Sequence, residues 1–60
     1  MVKVITPEQG AELKRLYAEA EELSSRILKA LEEGAPVESL RPEREKEAAI
    51  YHRINEILGD

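Results

Sequence analysis

From Ala11 to Glu33 the apolar positions step by threes and fours: Leu13, Leu16, Ala20, Leu23, Ile27 and Ala30, with Tyr17, Ser24 and Leu31 widening the row. This heptad-like spacing, sustained over about three repeats, predicts an amphipathic helix with one face committed to a partner. Leu28 falls just outside that face. Thr6-Pro7-Glu8-Gln9 reads as the helix start. The Thr6 hydroxyl can accept from the Gln9 N–H while the Gln9 side chain reaches back, and Pro7 stands where its missing donor costs nothing. Gly34 closes the helix and Pro36 forbids its continuation. The first helix therefore spans about residues 7–33.

A second periodic stretch follows the turn. Pro36 to Leu40 suits a single helical turn, with Val37 and Leu40 plugging the end of the fold, and Pro42 should push Arg41 toward an extended conformation before opening a helix over about 42–58. Glu43 to Glu47 contains no apolar residue, so the buried face is expected from Ala48 onward, through Ala49 or Ile50 and then Tyr51, Ile54, Ile57 and Leu58. Gly59 ends it. About eight residues between two helices predict an antiparallel hairpin. On that topology Ile54 should lie, to within about a turn, near Ala20 or Leu23 and Leu58 near Leu16 or Tyr17, leaving the first turns of the long helix with nothing to cover Leu13. Ahead of the helices, Met1 to Ile5 has the alternation of a short strand and reads either as an extended arm or as a frayed end.

Size changes the picture. With 60 residues and 6.8 kDa in a single domain, apolar burial in a globule of this mass contributes about 90 kcal/mol by area. Ordering the chain costs about the same. The chain has no Cys, which removes disulfides and thiolate metal sites as supplements. Self-association or very regular helix packing remains. The apolar seam is too wide for one hairpin to close, whereas two hairpins face to face give a four-helix bundle. The expected interface is Leu13, Leu16, Tyr17, Ala20, Leu23, Ile27 and Leu31 on the first helix and Ile50, Tyr51, Ile54, Ile57 and Leu58 on the second. A homodimer or higher homo-oligomer of an all-α protein is the predicted assembly.

Charge and chemistry narrow the function classes. Twelve Glu contribute to a net charge of −4, and the few basic residues are interspersed with them, so no basic stripe is available to phosphates and direct nucleic-acid binding is not expected. No run approaches the ~18 apolar residues of a membrane span, and the start of the chain is too short in apolar residues for a secretory leader, which predicts a cytoplasmic protein. Scarcity of Asn, Gln, Cys and Met agrees with a thermophilic source. His52 shares a charged helix face with Glu45 and Glu56 and reads as a solvated side chain. A di-metal Glu-x-x-His pair would need Glu where Ala49 stands. Ser24, Ser25 and Ser39 lack a nucleophile elbow, and the three Gly are isolated. No catalytic residue, cofactor or metal is therefore expected.

The stretch Leu31-Glu32-Glu33-Gly34-Ala35-Pro36-Val37-Glu38-Ser39-Leu40 resembles the hinge of the exonuclease VII small subunit, a helical hairpin with a Leu-Glu-x-Gly turn and a following Glu-Ser-Leu. The resemblance covers ten of sixty residues. The chain departs from that family in having no Phe in its first helix and in the charged run Glu43 to Glu47. Two functions follow: a small non-enzymatic interaction or structural module that associates with itself, or, as the resemblance implies, an accessory subunit of a nucleic-acid-processing enzyme.

Overall fold

A computed structural model describes residues 3–59. Three helical elements follow one another: α1 over Pro7–Glu32, a 3₁₀ turn over Val37–Leu40, and α2 over Arg41–Leu58. Among the described residues there is no strand. The two long helices pair as an antiparallel hairpin 46 Å long and 17 × 16 Å in section.

Local chemistry sets the ends. Thr6 and Gln9 form the reciprocal capping box, with Gln9 N donating to Thr6 Oγ1 at 3.2 Å and Thr6 N donating to Gln9 Oε1 at 3.0 Å. At the other end Glu33 is the cap and Gly34 takes a left-handed φ of +90°, so that the Gly34 and Ala35 N–H groups return to the carbonyls of Leu31 and Ala30. Gly59 does the same for α2 at φ +82°. Only glycine adopts these angles without strain.

Two expectations about the connection need correction. Arg41 is not extended: with φ −54° and ψ −45° it is the first residue of α2, because the 3₁₀ turn feeds directly into the helix and Pro42 falls where no N–H is required. Val37 does not plug the hairpin. It is exposed, and Leu40 alone is buried.

The register lies about a turn from the centre of the expected range. Glu12 pairs with Arg53, Ser24 with Glu47, and Lys3 with the carbonyl of Ile57. Arg53 thus stands against the second turn of α1, whereas its neighbour Ile54 was expected at Ala20 or Leu23. Leu58 moves from the expected neighbourhood of Leu16 and Tyr17 toward the start of α1. Leu13 is accordingly covered, at 8% exposure, in one core with Ala20, Leu23, Ile50, Ile54 and Ile57, against which Ile5 and Leu16 pack.

The N-terminal segment is held rather than frayed from Lys3 onward. Its ammonium donates to Ile57 O at 2.7 Å, placing a cation at the negative end of α2, while Ile5 packs on the core and Val4 points to solvent. The strand-like reading of Met1 and Val2 lies outside the described residues.

Candidate functional site

The predicted interface residues divide into three groups. Leu13, Ala20, Leu23, Ile50, Ile54 and Ile57 are buried within the single hairpin. Leu16 and Ile27 are half-buried. Tyr17, Leu31, Tyr51 and Leu58 remain on the surface, with Tyr17 at 49% and Tyr51 at 43% exposure. Leu28, read as just outside the seam, joins them at 60%. The first group is therefore the core of one chain, and only the last is free to meet another molecule.

The interhelical ties show how these exposed groups are arranged. Ser24 Oγ donates to Glu47 Oε2 across the helices. On α1, Tyr17, Ser24, Leu28 and Leu31 step by seven, four and three. On α2, Glu47, Tyr51 and Leu58 step by four and seven. At ~100° per residue each set lies along one flank of its helix. Because Ser24 touches Glu47, the two flanks share one broad face of the hairpin. The opposite broad face carries ions. There Arg53 donates from Nε to Glu12 Oε2 at 2.7 Å and from Nη2 to Glu12 Oε1 at 3.1 Å, a forked geometry, and lies 4.0 Å from Glu56. The hydrogen bond from Arg53 holds the Glu12 carboxyl below its usual range, and the same bond raises Arg53. Elsewhere on α1, Glu22 and Arg26 form the expected i, i+4 pair at 2.6 Å.

Sequence reasoning missed the role of Glu43 and Glu47. Both are half-buried on the inner side of α2, and Glu43 Oε2 is buried without a hydrogen-bond partner. The signal was the spacing: Glu43, Glu47, Ile50, Ile54 and Ile57 continue one heptad row through the charged run. Reading that run by composition alone assigned it to solvent.

The candidate chemistry is sparse. His52 is exposed. Among the described residues no three His, Cys, Asp or Glu side chains are grouped closely enough to share a metal ion, and no helix is long and apolar enough to cross a membrane. A shallow groove runs along α2 beside Arg41, Arg44, Glu45, Ala48 and Tyr51, continuous with the tyrosine-bearing face. No protein-family model, curated protein or solved structure matches the chain. The likeness to the exonuclease VII small subunit thus rests on the ten residues of the turn.

Proposed function

We propose that this protein is a non-enzymatic helical-hairpin module that associates with itself, two hairpins forming a four-helix bundle. The exposed apolar flank carries the reading: Tyr17, Leu28, Leu31, Tyr51 and Leu58 stay uncovered on one broad face after the hairpin has closed its own core. A chain of 6.8 kDa folded as a compact globule exposes about 4,000 Å². This hairpin exposes 4889 Å². A rod two helices wide leaves apolar surface that a second rod is shaped to cover. The module acts by presenting or joining other proteins, with the bundle as its folded unit.

Sedimentation equilibrium at micromolar concentration tests the reading. A mass of two or more chains is expected; a folded species of 6.8 kDa throughout would sink it. Purification from a native lysate bound in fixed ratio to a large nuclease subunit would replace it with the accessory-subunit function.

A further inference from the structure

We infer that this hairpin opens from its connected end: residues 25–46 separate as a unit while the half that carries the free ends of the chain stays shut, with the Ser24–Glu47 bond as the latch between them. The inference goes beyond self-association and does not depend on it.

Among the described residues, every tie between the two sides of the hairpin lies at that latch or on its free-end side. Leu13, Ala20 and Leu23 precede Ser24, and Ile50, Ile54 and Ile57 follow Glu47, so the whole core cluster belongs to the free-end half. The forked Arg53–Glu12 pair and the bond from Lys3 Nζ to Ile57 O are there as well. Beyond the latch no side-chain hydrogen bond or ion pair joins residues 25–32 of α1 to residues 41–46 of α2; Arg26 turns back to Glu22, and Ser39 bonds the carbonyl of Pro36. Leu40 is the one buried residue of this half, and it stands outside the core cluster. Ile27, Ala30 and Ala35 are only half-buried.

Glu43 turns this shortage of burial into a bias toward opening. It stands one turn beyond Glu47 on the inner row of α2, where the spacing reserves an apolar side chain, and its Oε2 is buried without a hydrogen-bond partner. Burying an acceptor unpaired is costly, and opening gives it back its water. Glu43 and Glu47 are also like charges at i and i+4, which weakens the helix between them. Each ordered residue gives up conformational entropy that little apolar burial offsets here. The free ends, where a chain ordinarily loosens first, are instead pinned by the Lys3 ammonium, by Ile5 on the core and by the Thr6–Gln9 box. The result is a clasp. Opening uncovers Leu40 and Ile27 and releases the Glu43 carboxylate, so the change of shape is confined to the connected end.

Amide hydrogen exchange followed by NMR on the full chain tests this, with both halves measured in one sample. Amides of residues 26–31 and 45–47 should be protected at least about tenfold less than those of residues 16–23 and 50–57. Two variants separate the halves. Ile57→Val weakens only the free-end core, so it should lower protection of residues 16–23 and 50–57 by about two- to tenfold and leave residues 26–31 and 45–47 unchanged. Glu43→Leu should raise protection of residues 26–31 and 45–47 together by at least about fivefold. Glu45→Leu, the same exchange at an exposed position, should change it less than about twofold. Equal protection in the two halves, or Ile57→Val lowering both by one factor, overturns the opening. A Glu43→Leu chain that exchanges like Glu45→Leu overturns the role given to the buried carboxylate.

Discussion

Glu47 occupies a position that the spacing of its neighbours reserves for an apolar side chain, and Ser24 is the group that makes this tolerable. The carboxylate is half-buried between the helices and accepts the serine hydroxyl. Removing one partner of such a pair leaves the other desolvated, so Ser24→Ala should cost about 1–3 kcal/mol in urea unfolding. Replacing both with apolar groups removes the penalty. The double variant Ser24→Ala, Glu47→Leu should be at least as stable as wild type, and a double variant weaker than Ser24→Ala alone would show that Glu47 does more than accept that bond. A different carboxylate contributes to the pH dependence of stability. The Arg53 hydrogen bond depresses Glu12 from its usual value of 4.5 in the folded state, so the contribution of this pair is fully present above that pH and is lost as pH falls through the lower folded value. Urea midpoints followed downward from pH 6 should decline less steeply below about pH 4.5 in Glu12→Gln than in wild type. Burial decides the remaining cases at this scale. Ile54, at 2% exposure, should not tolerate Asp, which would unfold the chain, while His52→Ala should stay within about 0.5 kcal/mol of wild type.

Helix ends were legible in the sequence because each is decided by two or three adjacent residues: the Thr6 to Gln9 box, Pro7, Gly34 and Gly59 all function as their types predict. The register of α2 on α1 was legible only to about a turn, since it depends on the path of Glu33 to Leu40, and a 3₁₀ turn running into α2 fixes the position of every later residue together. Arg53 against Glu12 is the clearest mark of that register. The Lys3 cap on the C-terminal end of α2 was hidden for a similar reason, because Lys3 and Ile57 are joined only by the completed hairpin. Comparing the two glycines isolates that cap. A Cβ at Gly34 meets nothing within 4 Å, so Gly34→Ala should cost only the left-handed strain of about 1–2 kcal/mol. A Cβ at Gly59 would lie 2.5 Å from the Lys3 ammonium, adding displacement of the cap to the same strain. Gly59→Ala should therefore be the more damaging by thermal melting, and the gap between the two should close in a Lys3→Met background.

Among the described residues the rod has one core cluster of six side chains, none of them aromatic, with Leu40 buried apart from it, and both tyrosine rings are on the outside. The pairing of apolar rows was visible in the sequence. Their division between the chain's own core and a second surface was not, because a helical wheel shows that Tyr17 and Leu13 lie on neighbouring flanks without showing where the other helix sits. Once α2 is placed, Leu13 is covered and Tyr17 is not. This division makes stability a function of concentration. If folding is coupled to dimer formation, each tenfold increase in protein concentration adds about 1.4 kcal/mol per dimer, or about 0.7 kcal/mol per chain. A chain of this size shifts its melting temperature by roughly 4–8 °C per kcal/mol, so melts recorded over a hundredfold range of concentration should move upward by about 6–11 °C. Leu28→Glu should melt lower and lose the dependence, because the hairpin core it leaves intact is then all that holds the chain. A wild-type melting temperature that stays fixed across the range would mean that the six-residue core suffices alone, and that the tyrosine-bearing face contributes nothing to folding.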